Sequence, residues 1–154
     1  MIVQRLDLKN NRLNLRIDSL DDLLFLKQII EVGDLVRGLT YRKVKVGEAS
    51  GRQKSVKKSF RITVKVTKLD FDRFLRVHGT VENEIEGIAL HSAHSIEVGM
   101  GTEIEVQKNK WKQYQIQIVK DAEAASKAPK ALVCVLDDEQ ASFAHITAAG
   151  YTRL

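Results

Sequence analysis

Eight basic residues fall between positions 42 and 61 of this sequence: Arg42, Lys43, Lys45, Arg52, Lys54, Lys57, Lys58 and Arg61, against one acid, Glu48. The segment therefore carries a formal +7 in a chain whose total is +5, and the remaining residues sum to −2. Basicity confined in this way is the chemistry of polyanion binding, in which lysine and arginine displace the counterions of a phosphate backbone. Gly47, Ser50, Gly51 and Ser55 predict a flexible loop in the middle of the segment. On either side, residues 37–46 and 60–69 are rich in Val, Ile, Leu, Tyr and Thr and partly alternate, as strands do. The simplest arrangement is a long antiparallel hairpin that carries a charged tip away from the body. A solvated loop whose lysines only keep the chain soluble is the plainer alternative. No aromatic residue lies between Gly47 and Ser59, which argues against base stacking within the tip.

A second chemistry is conceivable. Asp21, Asp22, Asp70, Asp72, Glu82, Glu84 and Glu86, with His78, His91 and His94 as bases, are the candidates for a metal-dependent RNA endonuclease. Such chemistry needs several carboxylates converging on the ions. Asp21 and Asp22 begin a helix, where the macrodipole alone favours acids. Glu82, Glu84 and Glu86 read as a solvated acidic turn, and His91 and His94 have metal-like spacing but no further ligands nearby. The reading is therefore not an enzyme, with no catalytic residue and no cofactor; a divalent metal would enter only with nuclease activity. His78 is expected on a polar strand face, His145 packed, Trp111 as a core anchor, and Cys134 as a buried reduced thiol of a cytoplasmic protein.

Strands and helices must position these groups. Ile2, Val3 and Leu6 predict a first strand, and Leu13, Leu15 and Ile17 alternate with polar residues in a second. Ser19, with Asp22 three residues on, marks a helix start in which side chains cap free N–H groups. Leu20, Leu23, Leu24, Leu26, Ile29 and Ile30 supply its apolar face, and Gly33 is expected to end it. Further strands are read over 34–46, 62–69, 75–82, 88–98 and 102–106. The period changes at 110–126, where Trp111, Tyr114, Ile118, Ala122 and Ala125 predict a second helix ending before Pro129. Residues 131–136 then form a continuous apolar run, the pattern of a strand covered on both faces. Only 25 residues follow Pro129, too few to cover it, so a disordered, swapped or intermolecularly paired segment is expected there.

Composition sets the frame. With 154 residues, 44% hydrophobic and 29% charged, the chain suits one ordinary domain with an appendage. No apolar run approaches the ~20 residues that span a bilayer, and the amino terminus lacks the pattern of a signal peptide. The fold expected is mainly β (α+β): a small, twisted, partly open barrel of about six strands with an inserted helix, then a linker helix and a truncated β segment. The domain division is 1–128 and 129–154.

Several short motifs, in this order, resemble the Pelota family of archaeal and eukaryotic proteins. They are Asp21-Asp22-Leu23, Gly33-Asp34-Leu35-Val36-Arg37, Arg42-Lys43-Val44, Arg76-Val77-His78-Gly79, His94-Ser95-Ile96, Trp111, and Asp137-x-Glu139-x-Ala141. The opening residues 3–16 match as well, whereas residues 91–94 are looser than the family pattern. The resemblance implies an Sm-like N-terminal domain followed by the start of a central domain. It implies a role in mRNA surveillance, no-go decay and rescue of stalled ribosomes, with the N-terminal domain at the decoding region of the small subunit. The β3–β4 loop, here residues 47–58, would reach mRNA and ribosomal RNA. The implied partners are the ribosome, a translational GTPase of the elongation-factor alpha class and an ABC-type recycling ATPase, the last two mainly through later domains. Relatives lack the Gly-Gly-Gln tripeptide of release factors, as does this chain, so rescue would proceed by subunit splitting rather than hydrolysis. A generic Sm-like ring subunit is the third possibility, but the long basic hairpin favours a monomeric, multidomain factor.

Overall fold

The computed structural model describes residues 1–46, 54–85, 87–128, 131–147 and 150–153. Twelve elements follow along the chain: β1 (Ile2–Asp7), β2 (Arg12–Arg16), α1 (Asp21–Ile29), β3 (Leu35–Val46), β4 (Lys54–Phe71), β5 (Leu75–Val81), β6 (Ala93–Val98), β7 (Glu103–Gln107), α2 (Gln113–Lys127), β8 (Ala131–Leu136), β9 (Ala141–Thr147) and β10 (Gly150–Arg153). The first seven strands make one antiparallel sheet in the order β1-β2-β7-β3-β4-β5-β6. The last three make a separate antiparallel sheet in the order β10-β9-β8.

Period-two alternation turns one face of the larger sheet inward. Leu13 and Leu15, Val36, Ile62 and Val64, Leu75 and Val77, Ile96 and Val98, and Ile104 and Val106 are all buried there, with Leu23, Leu26, Ile29, Val119 and Ala122 of the helices in the same core cluster. Each such Val, Leu or Ile side chain contributes roughly 1.5–3 kcal/mol through burial. The sheet curls without closing. β6 and β7 are joined by a short turn but do not pair; β6 is an edge, while β7 lies between β2 and β3. Across that seam the curl brings Ile96 so close to Gly38 that a Cβ on the glycine would stand 3.1 Å from Ile96 Cγ2.

Local signals were not always used as the sequence suggests. The Ser19 hydroxyl does not cap α1. Instead the Asp22 carboxylate reaches back to accept the N–H groups of Asp18 (2.8 Å) and Ser19 (2.9 Å) and pairs with the Met1 ammonium at 2.5 Å. Burial pushes the Asp22 carboxyl up, but the ammonium and the two N–H groups outweigh it and hold it below its ordinary value. Gly33 does not end α1, which stops at Ile29. It turns the chain four residues later with φ +94°, and its N–H bonds the Val66 carbonyl at 2.8 Å, seeding β3 against β4. Leu20 and Leu24 are exposed rather than packed.

The second helix buries a stripe that shares Ala122 with the one expected but is turned by one residue at its start, with Ile118 only partly buried against the core. Gln115, Val119 and Ala122 face the core, whereas Tyr114 is half exposed. Trp111 is buried just before the helix. Gln115 accepts the Lys112 N–H at 3.1 Å and donates to the Ile29 carbonyl at 3.4 Å, so a fully buried amide ties α2 to α1. Beyond Pro129 the apolar run pairs within its own chain, β8 with β9 and β9 with β10. All six β8 residues are exposed, Cys134 included. The buried thiol inferred from the neighbouring apolar residues is therefore corrected: no layer covers this strand among the described residues. No described helix is long and apolar enough to cross a membrane.

Candidate nucleic-acid interface

The basic segment is built into the two longest strands. β3 and β4 pair residue by residue from Leu35↔Lys65 to Val46↔Lys54. β7 flanks β3 only over Leu35–Gly38, and β5 flanks β4 only from Val64 onward. Among the described residues, the eight pairs from Leu39↔Arg61 to Val46↔Lys54 therefore have no further strand on either side. At about 3.3 Å per residue this two-stranded arm projects roughly 26 Å from the barrel.

The register decides the electrostatics. Arg42 lies opposite Lys58 and Lys43 opposite Lys57, two successive cross-strand pairs of like charge. Like charges directly opposite one another destabilise an antiparallel pair. The arm keeps four cations in two adjacent rungs at some cost to its own stability. Lys45 pairs with Ser55, Val46 with Lys54, and Leu39 with the exposed Arg61. Lys54, Lys57 and Lys58 thus belong to β4 and not to the loop predicted over 47–58, and Arg52 falls outside the described residues. The strand continues here because Val44 and Val56 pair within the charged stretch, which the glycines and serines on either side obscured.

A two-stranded ribbon is marginal by itself, so its root has to be held. Asn83 does so on the β4 side: its Oδ1 accepts the Thr63 N–H at 2.7 Å and its Nδ2 donates to the Arg61 carbonyl at 3.3 Å. One carboxamide thereby continues the ladder past the last residue of β5. On the β3 side His94 Nε2 lies 3.2 Å from Thr40 Oγ1, across the open seam. In sequence Asn83 is only an amide between Glu82 and Glu84 of the acidic turn, a signal too weak to single it out.

Charge also fixes the start of β3. Lys108, buried beside the Trp111 ring at 5.6 Å, pairs with Asp34 and lies 3.5 Å from Glu31. Lys112 and Tyr114 both reach Glu31 Oε1, at 2.8 and 3.1 Å. The bond from Lys112 does most to hold the Glu31 pKa down, at about 2.

The other candidates do not converge. Among the described residues no group of three or more His, Cys, Asp or Glu could hold a metal ion. Asp22 is committed to the start of α1, and Glu86 falls outside the described residues. His91 sits in a turn, 3.7 Å from Glu82. His78 bridges Ser95 (Nδ1 at 2.6 Å) and Asp70 (Nε2 at 3.1 Å) on the outer sheet face. Asp70 also pairs with Lys68, whose hydrogen bond is the main cause of its lowered pKa.

Comparison with known proteins identifies the domain. The family model of the Pelota N-terminal domain matches residues 1–123. The chain belongs to the Pelota family. The protein pelota homolog of Methanosarcina acetivorans is 37% identical over 133 residues, which are 84% of this chain and 37% of that protein. The crystal structure of Thermoplasma acidophilum Pelota superposes with a TM-score of 0.73 at 22% identity, covering 99% of this chain and 43% of the other. A model of ribosome-bound archaeal Pelota and ABCE1 superposes with a TM-score of 0.67 at 30% identity, covering all of this chain and 44% of that one. The chain thus spans less than half the length of these Pelota relatives.

Proposed function

We propose that residues 1–128 form the ribosome-binding N-terminal domain of a factor for mRNA surveillance and rescue of stalled ribosomes. In this reading the β3–β4 arm enters the decoding region of the small subunit and contacts phosphates of mRNA or ribosomal RNA. The two like-charge rungs, Arg42↔Lys58 and Lys43↔Lys57, carry the proposal. Phosphates neutralise these cations without a sequence requirement, so the arm positions the factor rather than reading codons. Family membership and the ribosome-bound state of an archaeal relative support the same direction. Residues 129–154 would open a second domain, in keeping with a family match that stops at residue 123 and a terminal sheet with no pairing to the first. An ABC-type ATPase, named together with that archaeal relative, and a translational GTPase would then act on the whole factor.

Cosedimentation of this chain with purified ribosomal subunits tests the reading. Binding to small subunits is expected, with loss of binding when tRNA fills the A site. Equal binding to large subunits, or binding that survives A-site occupancy, would overturn it.

A further inference from the structure

The arm leaves the sheet where β3 loses its second neighbour. β7 pairs with β3 only as far as Gly38, and among the described residues no strand continues that side of the ladder. Asn83 steadies the β4 side, so whatever braces the β3 side decides the angle at which the arm stands. β6 lies across the open seam and supplies that brace through three successive residues.

Ile96 is buried against Gly38, whose missing side chain leaves room for it: an added Cβ would stand 3.1 Å from Ile96 Cγ2 and 3.5 Å from Ile104 Cγ2. Ser95 faces outward, and its Oγ lies 2.6 Å from Nδ1 of His78, the residue opposite it on β5. His94 returns to the inner side, as strand alternation requires, and its Nε2 lies 3.2 Å from Thr40 Oγ1. Opposite His94 on β5 stands Gly79, so no β5 side chain faces the imidazole directly. Thr40 shares the face of Gly38 and Val36, two and four residues back along β3. Its contact with His94 is partly buried, and such a bond is electrostatically stronger than one in open water. β6 cannot simply follow the arm, because it pairs with β5 from Leu75↔Val98 to Thr80↔Ala93.

We infer that Thr40 and His94 are positioning residues: they form a strut that sets the angle of the arm to the barrel, with Gly38 as the pivot. The strut carries no phosphate contact itself. It determines how well the cations farther along the arm meet their phosphates, and so rests on the RNA reading of that arm. Leverage makes a small contact matter. Over an arm of roughly 26 Å, a tilt of about 10° at the root moves the tip by about 4.5 Å, nearly the spacing of neighbouring strands.

Thr40→Val deletes the hydroxyl and leaves every charge in place. Its binding to small subunits, measured across a salt series, should weaken about threefold to tenfold, as loss of one hydrogen bond implies. The log–log salt slope should stay that of the wild type, because no phosphate contact is removed. Thr40→Ser keeps the hydroxyl and should bind as the wild type does. Thr40→Val combined with His94→Ala should bind no more weakly than His94→Ala alone, since both changes remove the same contact. Unchanged affinity in Thr40→Val, an equal loss in Thr40→Ser, additive losses in the double variant, or a changed slope in Thr40→Val each overturns the inference. NMR order parameters of the amides of residues 39–41 follow the strut without RNA. They should fall in Thr40→Val and stay unchanged in a variant with glutamine at positions 42, 43, 57 and 58. Unchanged order parameters in Thr40→Val overturn the strut, whereas a wild-type chain that does not bind small subunits overturns the RNA reading and the role drawn from it.

Discussion

Asn83 is the smallest change that should loosen the arm without touching its charge. Asn83→Ala deletes the acceptor of the Thr63 N–H, at 2.7 Å, and the donor to the Arg61 carbonyl, at 3.3 Å. A typical intramolecular hydrogen bond contributes about 0.5–1.5 kcal/mol net, so the two together give roughly 1–3 kcal/mol. That energy is local, because β4 is paired with β5 only from Val64 onward. The Glu82 N–H still bonds the Thr63 carbonyl at 2.9 Å, so the strand should open at its amide side only. Native-state hydrogen exchange followed by NMR reads this directly. The Thr63 amide is expected to exchange about tenfold faster or more, while amides over 64–71 change only with global stability. Asn83→Asp keeps the acceptor but loses the donor, so Thr63 should stay protected. Unchanged Thr63 exchange in Asn83→Ala would refute the clamp.

Three further expectations concern the body of the domain. Lys108→Met leaves the Asp34 carboxylate buried without its cation and should cost about 3–5 kcal/mol, with Asp34→Asn in the same chain restoring part of it; urea unfolding of the single and double variants checks this. The folded-state pKa of Glu31, about 2, lies below its ordinary 4.5, so its pairing stabilises the protein above that ordinary value and is lost as pH falls towards 2. Thermal melts across that window should show a flatter acid limb in Lys112→Met, and identical limbs would contradict the assignment. Leu26→Ala should cost about 2–5 kcal/mol by leaving a core cavity, whereas Ser19→Ala, whose hydroxyl caps nothing, should stay within about 0.5 kcal/mol; denaturant midpoints in the opposite order would show that the two sites are misjudged.

The sequence was most legible where one face is buried. Alternation over Leu13–Ile17 and Leu75–Val81 corresponds to β2 and β5 because a one-residue slip there would turn every apolar side chain outward. The arm was legible from charge, but its extent was not: pairing carries β4 back to Lys54, through residues whose composition reads as loop. Period alone could not separate Tyr114 from Gln115, since long-range partners decide which side of α2 turns inward. There a buried glutamine is satisfied by the Ile29 carbonyl, and the tyrosine hydroxyl by Glu31. Cys134 was misread because an apolar neighbourhood in sequence says nothing of what covers it in space. Asn83 and the contact of Thr40 with His94 were invisible for a related reason. Asn83 meets its partners only through the pairing of β4 with β5, and Thr40 meets His94 only when the sheet curls.

The claim that the arm binds RNA phosphates is tested most directly by the salt dependence of small-subunit binding. If Arg42, Lys43, Lys57 and Lys58 each meet a phosphate of single-stranded RNA, four contacts at about −0.7 each give a log–log slope contribution near −3. Glutamine at all four positions should remove that contribution. It should also leave stability unchanged or slightly higher, because two like-charge rungs are relieved. Weakened binding with a flattened slope and an intact unfolding midpoint is the result the account predicts. An unchanged affinity and slope in the fourfold variant would contradict it.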